Sequence, residues 1–237
     1  MDALSDVLNS VRLEGAVYLN AEFTAPWCIR GELGLTSVRA RLAGAEHVAF
    51  FHFLTEGSCK VRLSEGGEVL EASVGDLILF PQEGRHLMGT DLQLAPMEGK
   101  ASIEALPGAD PEVFHMRHGG GGAATRFVCG YLALSRSVFR PLFDALPRVL
   151  CIRIGEGPAA ALVHALFRQG VHESAAWGPG AASTLAKVAE LLFVEALRRY
   201  RRAAAARQGL ACRRARPAGR ARAGTPARRA GEVVDRG

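Results

Sequence analysis

Apolar residues recur along this chain at two periods, and the place where one gives way to the other divides it. Leu4, Val7, Leu8 and Val11 share one helical face, so residues 3–13 are expected to form a short amphipathic helix capped by Asp2 or Ser5. From Ala16 to about Gly99 the texture is of short alternating or apolar runs broken by glycine-containing turns, which predicts strands. Residues 48–57 and 76–81 are such runs, and residues 59–72 read as a hairpin turning at Glu65-Gly66-Gly67. Residues 106–123 are rich in Gly and Pro and are expected to be a loop, followed by a strand over 125–134. Many short strands at near-regular spacing predict a mainly β fold, an antiparallel β-barrel of the jelly-roll kind.

After Leu150 the period lengthens to that of a helix. Gly157-Pro158 starts one containing Leu162, Leu166 and Val171, and Gly178-Pro179-Gly180 breaks it. A second helix is expected from about Ala181 to Arg202, with Leu185, Val188, Leu192, Phe193 and Leu197 on one stripe. The division that follows is a barrel over 1–150, a helical hairpin over 151–202 and a tail over 203–237. Such a stripe requires a cover, either the barrel or a second copy of the chain. Leu185, Val188 and Leu192 are the candidate dimerisation residues.

Composition changes this picture at the C-terminal end. Residues 201–237 hold eleven arginines against Glu232 and Asp235, a charge of +9 in a chain of +5, which leaves −4 on residues 1–200. Any phosphate-binding surface therefore belongs to the tail. The tail is dominated by Ala, Arg, Gly and Pro, with Leu210, Val233 and Val234 as its larger aliphatics, so it is expected to be disordered and solvated. These four residue types have the most GC-rich codons, and an out-of-frame reading of a GC-rich gene produces the same bias. No apolar run reaches the roughly 18 residues of a spanning helix, and acids stand where a secretion signal carries bases. The expectation is a cytoplasmic protein without membrane contact. Five cysteines, none in a C-x-x-C pair, do not suggest a disulfide framework.

Candidate chemistry lies on the predicted strands. His52 alternates with Phe50 and Leu54, and Cys129 with Phe127 and Tyr131, so each is expected to point inward. His86 follows the strand 76–81 and a Pro-Gly turn that aims it at the interior. His52, His86 and Cys129 could converge on zinc or another divalent metal, since imidazole and thiolate are its preferred ligands; the plainer alternative is three buried core residues. Trp27 is a candidate wall for a ligand pocket, and Trp27, His52, His86 and Tyr131 form the candidate ligand-binding set. His115 and His118 are expected in an exposed loop, and Gly119–Gly122 lacks the Gly-Lys-Ser/Thr ending of a phosphate loop.

The run Gly75-Asp76-Leu77-Ile78-Leu79-Phe80-Pro81-Gln82-Glu83-Gly84-Arg85-His86 resembles the second cupin motif, and residues 50–61 look like the end of the first. Metal-bearing cupins carry His-x-His and a Glu on that first strand; here Phe50 stands at the Glu position and His47 lacks a partner two residues away. Residues 25–30, 52–63, 74–86, 125–131, 143–150 and 185–200 together resemble the N-terminal cupin region of AraC-type transcriptional regulators. That resemblance implies a non-enzymatic region that senses a small-molecule effector and pairs as a homodimer. It also implies DNA binding through a separate helix-turn-helix domain, for which the tail offers no amphipathic helices. The competing class is a stand-alone metal-dependent cupin enzyme, an oxygenase or isomerase.

Overall fold

The computed structural model describes residues 13–33, 46–98, 103–104, 114–134, 143–154, 161–167 and 181–214. The expected N-terminal helix lies outside them. The chain divides into two compact units, Met1–Arg201 and Arg202–Gly237; in the second, residues 202–214 are helical.

Twelve strands are present among the described residues: β1 Leu13–Thr24, β2 Cys28–Leu33, β3 His47–Glu56, β4 Ser58–Leu63, β5 Leu70–Ser73, β6 Asp76–Phe80, β7 Gly84–Gly89, β8 Met97–Glu98, β9 Ile103–Glu104, β10 Phe114–Gly119, β11 Ala124–Leu134 and β12 Leu150–Arg153. They build two sheets, ordered β12-β6-β3-β11-β1-β10-β9 and β5-β4-β7-β2-β8. Helix α1 covers residues 161–167, and α2 runs Ala181–Arg214. The architecture is the expected mainly β, jelly-roll-like one with C-terminal helices. Pairing is antiparallel except for β1 with β10 and β2 with β8, which are parallel.

Coverage explains the two sequence textures. The central strands of the seven-stranded sheet, β6, β3 and β11, are buried on both faces. Leu54, Phe50, Ile78, Phe80, Phe127 and Cys129 pack between the sheets, whereas Phe51, Phe53, Leu77, Leu79, Val128 and Leu132 pack against the helical layer. Strand β3 therefore reads as an almost unbroken apolar run. In the five-stranded sheet, β4 buries Cys59 and Val61 and exposes Ser58 and Lys60, the alternation of a sheet covered on one face. In β1 a bulge between Val17 and Leu19 shifts the register against β11. Val17 accordingly joins the helix-facing core and Leu19, Ala21 and Phe23 the inter-sheet core, a change of face that the extra residue produces.

Two glycines permit close approach. Opposite Gly130 on β3 lies Phe51, whose ring covers the place a Cβ would occupy. At Gly15 an added Cβ would stand 2.7 Å from the Ala186 carbonyl oxygen of α2, so this glycine lets the helix settle directly on β1.

Four expectations are corrected. Residues 114–119 are strand rather than loop, because β1 supplies β10 with a parallel partner that local sequence does not reveal. Residues 150–153 continue the sheet, pairing Cys151 with Ile78 and Ile152 with Leu77, so the helical region starts later than residue 151. Helix α2 passes Arg202 to end at Arg214, because Ala203–Ala206 and the flanking arginines are strong helix formers. Leu185, Val188 and Leu192 are buried with Phe143, Val163 and Phe193 in this chain's own helix-facing core, so the stripe is covered by the sheet. The outward sides of the helices instead expose Leu162 (52%) and Leu191 (42%). No described helix is long and apolar enough to cross a membrane.

This placement has a measurable consequence. Leu192→Glu puts an unpaired carboxylate into the core and is expected to lower unfolding free energy by about 3 kcal/mol or more. Urea denaturation checks it. Unchanged stability with an altered gel-filtration size would mean that Leu192 faces a partner instead.

Candidate functional site

The space between the sheets gathers the polar residues that the alternation aimed inward. His52 on β3 and Cys129 on β11 are register partners, and both side chains are buried. The His52 Nδ1 to Cys129 Sγ distance is 2.7 Å. Burial raises the Cys129 pKa well above its ordinary value, so the group is a thiol in hydrogen-bond contact with the imidazole. The other ring nitrogen, His52 Nε2, is buried and finds no hydrogen-bond partner.

His86 reaches the same space from the opposite sheet. It is 1% exposed, and neither ring nitrogen has a partner. Its ring centroid lies 5.4 Å from that of His52 and 4.5 Å from that of Phe80. The backbone opposite is Gly31; a Cβ there would collide with Cε1 and Nε2 of the His86 ring. Glycine at this position is what lets the imidazole lie across β2.

Aromatic contacts extend the site along the sandwich. His52 meets Phe127 edge-on at 5.7 Å; Phe127 stacks on Phe23 at 5.4 Å, and Phe23 on Trp27 at 4.5 Å. Trp27 is buried with its Nε1 unpartnered, while its backbone N–H donates to Thr90 Oγ1 at 3.1 Å. Tyr131 is buried in the same core, two residues beyond Cys129 on the same face. Trp27, His52, His86, Cys129 and Tyr131 therefore share one interior. Phe23 and Phe80, which connect them, were not singled out in the sequence because an aromatic residue on a strand ordinarily signals only core.

The histidines of the expected loop lie elsewhere. His115 and His118 are both on β10. His115 is buried and His118 exposed, and three residues along a strand place two side chains on opposite faces, so they form no shared site. Gly119–Gly122 makes the turn from β10 to β11 against Thr24 and Ala25: Gly120 N–H donates to the Thr24 carbonyl oxygen and Gly122 N–H to that of Ala25.

The convergence of His52, His86 and Cys129 does not fit a divalent ion. A nitrogen and a sulfur bound to one tetrahedral zinc stand about 3.6 Å apart, given ordinary bond lengths. At 2.7 Å, His52 Nδ1 and Cys129 Sγ are instead in direct hydrogen-bond contact. Among the described residues no group of three or more His, Cys, Asp or Glu side chains is arranged to hold a metal. Four cysteines, Cys28, Cys59, Cys129 and Cys151, are free thiols.

Electrostatics follow from enclosure. Desolvation lowers the His52 pKa to about 4, and desolvation together with His52 holds His86 well below its usual value. Both imidazoles are neutral at pH 7.

Two predictions arise here. An unfolded histidine binds its proton near pH 6.5 and the folded His52 only near 4, so stability falls as pH drops through 6.5 and levels off below 4. His52 contributes roughly 3 kcal/mol to that loss. Urea titrations at pH 7 and pH 4 should show it, with a correspondingly shallower dependence in His52→Phe. Gly31→Ala forces the His86 ring out of place and is expected to cost about 1–3 kcal/mol, read as a lower thermal midpoint.

Comparison with known proteins adds the following. Residues 2–202 match a family model described as Cupin. The crystal structure of ToxT from Vibrio cholerae O395 aligns at 9% identity and a TM-score of 0.33, covering 77% of this chain and 51% of that one. ToxT bound to (E)-4-(8-methylnaphthalen-1-yl)but-3-enoic acid aligns at 10% identity and a TM-score of 0.34, covering 79% and 57%. The chain thus spans about half the length of these solved structures. No curated protein matches it. With the family model covering most of its length and a double-sheet interior built as described, the chain belongs to the cupin family.

Proposed function

We propose that residues 1–200 are the sensing region of an AraC-type transcriptional regulator, in which a small molecule bound between the sheets alters the helical layer. The observation that carries this reading is the two-sided construction of β3. His52 points into the interior with an unsatisfied Nε2, while its neighbours Phe51 and Phe53 point into the helix-facing core. Phe53 meets Phe167 of α1 at 5.2 Å and His164 at 4.9 Å. A shift of β3 that accommodates a ligand at His52 is felt by both rings one residue away, which gives the two states different contacts in the helices.

The region acts without catalysis. Its interior offers neutral imidazoles and a protonated thiol, and the His-x-His and Glu of metal-dependent cupins are missing from the first motif. Pairing into a homodimer uses the outward helix sides that carry Leu162 and Leu191, since Leu185, Val188 and Leu192 are already covered.

Screening a metabolite library by thermal shift, followed by amide hydrogen exchange with the best binder, tests the reading. The binder is expected to change protection in residues 161–167 and 181–201. Phe53→Leu should keep the affinity within about threefold and lose that change. Turnover of the binder, or exchange altered only in the strands, would refute the sensor.

A further inference from the structure

The second compact unit, Arg202–Gly237, has a chemistry of its own. It holds ten arginines against Glu232 and Asp235, a net charge of +8, and neither lysine nor any aromatic residue. Composition alone describes a solvated polycation. The structure adds that residues 202–214 are helical, as the last part of α2.

Helical rotation, about 100° per residue, sorts the positions of that stretch. With Arg202 at the origin, Arg213 falls at about 20°, Arg214 at about 120° and Arg207 at about 140°. All four arginines of 202–214 thus occupy one arc of about 140°, two at each margin, with Ala206, Leu210 and Ala203 between them. The opposite arc carries Ala204, Ala205, Gln208, Gly209, Ala211 and Cys212, and no charge. Solvation alone does not require such one-sidedness.

Two rows of arginine flanking small residues match a polyanion with two lines of phosphate, which guanidinium groups bind in bidentate fashion. The major groove of B-DNA, about 12 Å wide and bordered by phosphates on both rims, admits a helix about 10–12 Å across. The deep, narrow groove of duplex RNA does not. Unpaired bases would need aromatic platforms, which the unit lacks. A helix lying in an acidic membrane surface needs a broad apolar face, and Leu210 is the one larger aliphatic of 202–214.

We propose that residues 202–214 bind double-stranded DNA without sequence preference, seated in the major groove with the Arg202 and Arg213 row along one phosphate strand and the Arg207 and Arg214 row along the other. The inference is independent of the sensing reading and survives its failure.

Fluorescence anisotropy of the full chain with a labelled DNA duplex, in sodium chloride from about 50 to 200 mM, tests it. Four neutralised phosphates give log affinity against log salt a slope of about −3.6, and the measured slope is expected to be that steep or steeper. Two duplexes of unrelated sequence should bind within about threefold of each other. Replacing all four helical arginines together (Arg202→Gln, Arg207→Gln, Arg213→Gln, Arg214→Gln) keeps strong helix formers and should flatten the slope by about 3.6. Ala206→Pro keeps every charge, breaks the helix and should weaken binding about tenfold without moving the thermal midpoint of residues 1–201. A slope flatter than about −2 overturns the proposal. So does an affinity unchanged by Ala206→Pro, which would leave a diffuse polycation. Single-stranded DNA, duplex RNA or phosphatidylserine vesicles bound as tightly as the DNA duplex would likewise overturn the choice of partner.

Discussion

Strand β3 is covered on both faces, and most of the remaining structure is arranged to keep it so. Its even-numbered side chains from Val48 to Leu54 fill the space between the sheets, and Ala49, Phe51 and Phe53 fill the layer beneath the helices. Burying a single apolar side chain contributes about 1.5–3 kcal/mol, so a strand buried twice over anchors both cores. Its neighbours β6 and β11 repeat the arrangement, and the bulge in β1 lets that strand serve the two cores in turn. The glycines at 15 and 130 belong to the same economy of space, one admitting α2 to the sheet and the other receiving the Phe51 ring.

The polar interior is tolerable because its groups are neutral. Two imidazoles and a thiol with pKa values moved by burial hold no charge at pH 7, and the His52–Cys129 hydrogen bond satisfies one nitrogen and one sulfur. What remains unmet is confined to a few atoms among stacked aromatic rings. Such a core is less stable than an all-apolar one of the same shape.

Surface charge plays a smaller part. Arg126 bridges Glu22 and Glu56 across β11, β1 and β3, and Arg85 pairs with Glu32 between β7 and β2; exposed pairs like these contribute about 0–1 kcal/mol each. They fix register at the sheet surface more than they hold the fold. The excess positive charge lies beyond residue 200, apart from the mildly acidic region that precedes it.

Sequence alone determined the strands with strong local signals. The hairpin at Glu65-Gly66-Gly67, the inward aim of His52, His86 and Cys129, and the apolar stripe of α2 were all legible, because period-two and period-3.6 patterns and glycine turns are local properties. Sequence could not supply the partner of each element. Strand β10 reads as loop until β1 pairs with it in parallel, and β12 reads as the approach to a helix until β6 pairs with it. The stripe Leu185-Val188-Leu192 demanded a cover without saying whether that cover was a sheet of the same chain or another copy, and the three-dimensional packing assigned it to the sheet. The same holds at the site: alternation brought His52 and Cys129 to one face, but only the fold made them register partners with Nδ1 and Sγ in hydrogen-bond contact. Local pattern fixes which way a side chain points, whereas what it meets depends on segments far away in sequence.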